Sequence, residues 1–159
     1  MIVQLLTILS CAAIAIQDIT ERMVYWILFP ITGVFLAWLH LQQSNWNGFL
    51  INTSGNWLIV ATIITILWAY TKFFRKQKFL NASLGLGDIL CLFAFALGFP
   101  TVTFIVLLAS SLCFSVLAYI VLNYFVDAKT VPLAGFICLF LIGVLIISKA
   151  TDFVSLYAI

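Results

Sequence analysis

Long apolar runs broken by short polar connections constrain this sequence more than anything else in it. Six can be read: Ile2 to Ile16, Val24 to Leu41, Trp57 to Tyr70, Leu84 to Phe99, Thr101 to Phe125 and Pro132 to Ser148. A helix needs about 20 apolar residues, with roughly 17–25 usual, to cross a bilayer. The first and third runs are slightly short of this. None alternates with period two, as the strands of a membrane barrel do. In lipid, where backbone groups must bond within the chain, that leaves helices. The expected fold is all-α: a single polytopic membrane domain over residues 1–159 with six transmembrane helices.

Composition removes the competing classes. Hydrophobic residues are 65% of the chain and charged residues 8%, against roughly 45–50% and 25% in a soluble domain. Disorder requires far less apolar content. A net charge of +2 gives little footprint for nucleic acid. Cys11, Cys91, Cys113 and Cys138 lie inside apolar runs without a C-x-x-C pair, so they read as small packing residues rather than a disulfide frame.

The breaks between runs have chemical causes. Asp18 to Arg22 is a short polar connection, and Gln42 to Asn56 reads as a longer uncharged loop. Gly98-Phe99-Pro100 is a turn. Pro132 suits the first turn of the last helix, and Pro30 predicts a kink inside the second. Met1 to Ala15 has the apolarity of a signal segment but no positive start, and is read as the first helix.

With six spans, the loops at 18–23, 71–83 and 126–131 share one side. They carry Arg22, Lys72, Arg75, Lys76, Lys78 and Lys129, and only Lys149 lies opposite. The positive-inside rule makes that side cytoplasmic and both termini extracytoplasmic. The basic loop from Lys72 to Lys78 then reads as a contact for anionic lipid. Phe73, Phe74 and Phe79 belong to the interface, and the five tryptophans, mostly near run ends, form an aromatic belt.

Charge is scarce enough for each acid to be weighed. Asp127 and Asp152 fall in a loop and a tail, and Glu21 sits beside Arg22. Asp18 ends the first run. Asp88 lies in Leu84-Gly85-Leu86-Gly87-Asp88-Ile89-Leu90 with no base within nine positions. Each has a structural reading: Asp18 pairing with Arg22 at i+4, Asp88 capping the fourth helix. Together, at equal depth on different helices, they can instead converge. A proton-sharing pair activates water for attack on a peptide carbonyl, one acid serving as base while the other protonates the carbonyl oxygen. Gly85 and Gly87 allow close backbone approach and unusual dihedrals just before Asp88. They do not complete a dinucleotide or P-loop motif.

Gly85-Leu86-Gly87-Asp88, with Asp18 after a first membrane helix, resembles the type IV prepilin peptidase family of GxGD intramembrane aspartic proteases. Pro132-Leu133-Ala134-Gly135-Phe136 resembles the opening of that family's last helix. Two positions depart from its pattern. Val24-Tyr25 stands where a Pro-containing pair is usual, and Leu90 stands where a Lys is usual.

The resemblance implies an aspartic endopeptidase of the short branch without the methylating insertion. Asp18 and Asp88 would be the catalytic pair, and Gly85 and Gly87 would shape the loop before the second acid. No metal or cofactor is implied. The substrate would be a prepilin or pseudopilin-like membrane protein cut at its leader junction, on the cytoplasmic face of a prokaryotic inner membrane. His40, near the outer end of the second run, reads as an interfacial or packed histidine. Two rivals remain: a proton- or cation-coupled transporter or channel subunit using the acids as an ion site, and an inactive relative acting in pilus or secretion assembly.

Overall fold

A computed structural model of the chain describes residues 2–75, 85–125, 131–150 and 156–157. Among them are six α-helices and no strand: α1 (Ile2–Thr20), α2 (Leu28–Gln43), α3 (Trp46–Tyr70), α4 (Leu86–Ala96), α5 (Thr101–Phe125) and α6 (Leu133–Ala150). A single π-helical turn, Thr71–Arg75, extends α3. Three helical stretches are long and apolar enough to cross a membrane: Ile2–Thr20, Trp46–Phe73 and Thr101–Tyr124. The apolar stretches Leu86–Ala96 and Leu133–Lys149 are shorter. Such helices are compatible with a membrane protein. So are the exposed large apolar side chains, among them Leu9, Val34, Leu58, Val106 and Leu117, which a soluble surface would not carry in such number.

The helices pack through stripes at helical spacing. On α1 the buried positions are Thr7, Ser10, Cys11, Ile14 and Ala15, and the same face continues one turn on to Asp18. On α4, Cys91, Leu92 and Phe95 are buried, and Asp88 precedes them by one turn. On α6 the stripe is Ala134, Ile137, Cys138, Leu141 and Leu145. α1 packs most closely on α6 and α2, α2 on α4, and α5 on α6. The core they share includes Phe29, Leu36, Val60, Phe95, Phe104 and Ile137.

Several boundaries differ from the sequence-based expectations. The first helix runs past Ile16 to Thr20 and so carries Asp18 inside its last turn. The second begins at Leu28 rather than Val24. Pro30 is therefore its third residue, in the first turn, where a missing N–H costs no helical bond and no kink follows. The largest difference is α3, which starts at Trp46 and absorbs most of the expected loop from Gln42 to Asn56.

The cause is that two of the polar residues there, Thr53 and Asn56, face protein. Phe49, Thr53, Asn56 and Val60 form its buried stripe. The Asn56 side-chain amide donates to the carbonyls of Ala96 and Phe99, both at 2.9 Å. These bonds hold the expected turn at Gly98-Phe99-Pro100 against α3. Trp57 is consequently mid-helix, set edge-on to Phe93, not at a span end. Cys113 is exposed, unlike the other three cysteines. Lys72 sits over the Trp68 ring at 4.6 Å. Lys76, Lys78, Phe79, Asp127, Lys129 and Asp152 lie outside the described residues, and the side chains of Phe74 and Arg75 lie outside them too.

Asn56→Ala should cost about 1–3 kcal/mol, because two buried carbonyls lose their donor. Ser54→Ala, at an exposed hydroxyl bonded to its own helix, should stay within about 0.5 kcal/mol. Unfolding in mixed micelles titrated with SDS measures both. Equal effects would contradict the role given to Asn56.

Candidate active site

The site forms at the start of α6. The first turn of a helix has N–H groups without intrahelical partners, and here each can be accounted for. Pro132, just before the helix, has none. The Leu133 N–H donates to the Val131 carbonyl at 3.0 Å, and the Phe136 N–H makes the first regular helical bond, to Pro132 at 3.1 Å. The two amides between them are capped by acids from other helices. The Ala134 N–H donates to Asp88 Oδ1 at 3.0 Å. The Gly135 N–H donates to Asp18 Oδ2 at 2.6 Å. Consecutive helical amides lie about 3 Å apart and point the same way along the axis, so both carboxylates sit together at the positive end of α6. The charge of Asp18 acts on Asp88.

Each acid is aimed by its own helix. Asp88 is the third residue of α4, and its Oδ2 accepts from the Gly85 N–H at 3.3 Å, so it also caps α4. Asp18 lies in the last turn of α1. That helix ends on the Glu21 N–H bond to the Gln17 carbonyl, at 2.9 Å, and on Arg22, whose φ of 57° is left-handed and turns the chain away. The Gln17 side chain then accepts from the Tyr25 N–H at 3.2 Å, closing the link to α2. Arg22 is within electrostatic reach of Asp18, from the left-handed residue just beyond the helix end.

The glycines act by removing bulk. A Cβ on Gly135 would lie 3.1 Å from Asp18 Oδ2, 3.2 Å from Asp18 Cβ and 3.3 Å from Ile19 Cγ1. The close approach of α1 to α6 therefore depends on this residue. A Cβ on Gly85 would lie 3.2 Å from Asp88 Oδ2, and one on Gly87 would lie 3.3 Å from Phe29 Cζ. Gly87 thus lets α4 settle on α2. The expected unusual dihedrals are not found: Gly85 is extended, with φ −71° and ψ 147°, and no described glycine has a positive φ.

The structure thus brings Asp18 and Asp88 together, with Gly85 beside Asp88 and Gly87 one helix-packing layer away. His40 lies elsewhere. It is fully buried at the end of α2, and its Nδ1–H donates to the Leu97 carbonyl at 3.1 Å. Leu97 is nine residues along from Asp88, or about 13 Å at helical rise. Sequence reasoning marks Ala134 and Gly135 only as part of the Pro132 to Phe136 string and gives them no role; their contribution is backbone N–H. The available signal was a Pro followed three residues later by Gly at a helix start. Inward of the carboxylates, Cys11, Cys91 and Cys138 join Ile14, Phe29, Phe95 and Ile137 around a small apolar cavity. Among the described residues, no group of three or more His, Cys, Asp or Glu is placed to hold a metal ion. No protein-family model, curated protein or solved structure matches the chain.

Two glycines of α6 provide an internal comparison. Gly135→Ala should destabilise the protein by about 1–3 kcal/mol through overpacking against Asp18 and Ile19. Gly143, with nothing within 4 Å of an added Cβ, should gain about 0.5–1 kcal/mol as Ala. Thermal unfolding in detergent reads both; a neutral Gly135→Ala would contradict the close approach.

Proposed function

We propose that this protein is an integral membrane aspartic endopeptidase that cleaves the leader of prepilin-like proteins, in the manner of the type IV prepilin peptidases it resembles. The observation that carries the reading is the meeting of Asp18 and Asp88, from α1 and α4, on consecutive amides of α6. In a chain this poor in charge, two acids sharing one site call for a chemical reason.

In the proposed reaction the ionised member of the pair removes a proton from water. The resulting hydroxide adds to the scissile carbonyl carbon, while the protonated member gives its proton to the carbonyl oxygen. The tetrahedral intermediate then collapses: the acid that took the proton from water passes it to the leaving amine as the C–N bond breaks, and the other acid recovers its proton from the collapsing diol. The amides of Ala134 and Gly135 hold the two side chains through these steps, so little orientation is lost on reaching the transition state.

The proposed membrane arrangement has all six helices inserted. The ends bearing Asp18, Asp88 and Pro132 face the cytoplasm with the basic connections, and the termini lie outside. A prepilin or pseudopilin, whose own apolar helix is lipid-embedded, would present its leader junction at that depth, in a prokaryotic inner membrane.

The test is leader release from a prepilin-like substrate by the purified full chain in lipid. Asp18→Asn and Asp88→Asn each keep an oxygen to accept the α6 amide, so both should fold. Each should lower the cleavage rate by at least about 100-fold. Normal processing by both variants would end the protease reading, and ion flux in proteoliposomes without cleavage would favour a transporter.

A further inference from the structure

At the end of the bundle opposite the carboxylates, four buried polar atoms have no hydrogen-bond partner among the described residues: His40 Nε2, Thr53 Oγ1, Asn56 Oδ1 and the Tyr157 hydroxyl. They are not scattered. The His40 ring lies 5.2 Å from Phe49 and 6.0 Å from Tyr157, and Tyr157 stacks on Phe99 at 5.8 Å. Asn56 is bonded to the carbonyls of Ala96 and Phe99, and His40 to that of Leu97. Thr53 lies between Phe49 and Asn56 on the same buried face of α3. His40, Asn56 and Tyr157 therefore surround the turn that ends α4, and Thr53 lies one helical turn from Asn56 on the same buried face. His40 and Asn56 are fully buried, and Thr53 is 8% exposed.

The bonds already made define what each orphan atom can do. A carbonyl only accepts, so the His40 Nδ1 bond to Leu97 puts the imidazole proton on Nδ1 and leaves Nε2 a lone-pair acceptor. Both Asn56 bonds run to carbonyls, so they come from its NH₂ group, and Oδ1 is an acceptor. Thr53 and Tyr157 carry hydroxyls, each with a proton to give. The set is two acceptors and two donors. A metal ion would use lone pairs and leave two O–H protons unmatched. An anion would face two lone pairs. Water has two protons to donate and two lone pairs to accept with, and buried waters typically make about three bonds to such groups.

We propose that this end of the bundle is a built-in hydration site. Water there donates to His40 Nε2 and Asn56 Oδ1 and accepts from the hydroxyls of Thr53 and Tyr157. Without it, four buried polar atoms would keep the cost of lost hydration with nothing to offset it. The site ties the Leu156–Tyr157 segment, whose leucine is buried in the core, to the far end of the helix that carries Asp88. It does not depend on the peptidase reading.

His40 is the sole histidine of the chain, so one ring reports on the site. The experiment is nitrogen-15 NMR of the full chain, labelled at histidine, in lipid nanodiscs. The expected result is a proton on Nδ1, an unprotonated hydrogen-bonded Nε2, and magnetisation transfer to the ring from a slowly exchanging water. Tyr157→Phe and Thr53→Val, each removing one donor, should shorten that water's residence by about three- to tenfold. The proposal is overturned by a proton on Nε2, by transfer from the Tyr157 hydroxyl in place of water, by no transfer, or by a residence unchanged in both variants.

Discussion

Two backbone N–H groups at the start of α6 connect three helices that are distant in sequence. Asp18 reaches Gly135 across 117 positions, and Asp88 reaches Ala134 across 46. Each bond joins a carboxylate to a helix terminus carrying positive partial charge, in surroundings with few other polar partners. α1, α4 and α6 meet at this end because their acids and amides satisfy one another there. The close fit of α1 on α6 then requires a residue without a side chain at position 135.

Away from that end the helices are held by packing and by a few buried polar contacts. Directly inward of the acids lies an apolar layer with three thiols and the aromatic rings of Phe29 and Phe95. The carboxylates thus meet the α6 amides on one side and are backed by an apolar layer on the other. At the opposite end the polarity returns as neutral groups, with His40 and Asn56 bonded to the carbonyls that finish α4. α4, only 11 residues long, is therefore fastened at both ends, by Asp88 at its start and by α2 and α3 at its finish. That double attachment fixes the direction in which Asp88 points.

Much of this was legible in the sequence. The apolar runs mark helices, and the rarity of charge singles out Asp18 and Asp88. Helix ends were harder. Asn52, Thr53 and Asn56 read as a loop because polarity in sequence does not say whether a side chain faces water or another helix; here Asn56 faces carbonyls of α4. The expected kink at Pro30 failed for a related reason, since its effect depends on where the helix begins. Gly85 and Gly87 serve close packing beside Asp88 and Phe29, not unusual backbone angles. Least legible were the amides of Ala134 and Gly135, because every residue but proline has an N–H and only the fold decides which ones go unpaired.

The central claim is that Asp18 and Asp88 share one site at the head of α6. Thiol cross-linking tests it most directly. In a background with the four native cysteines replaced, Asp18→Cys combined with Asp88→Cys should be bridged within one chain by a bifunctional thiol reagent a few ångströms long. Asp18→Cys combined with Leu97→Cys, at the other end of α4, should not be bridged. Cross-linking of the second pair as readily as the first, or no cross-linking of the first, would contradict the account.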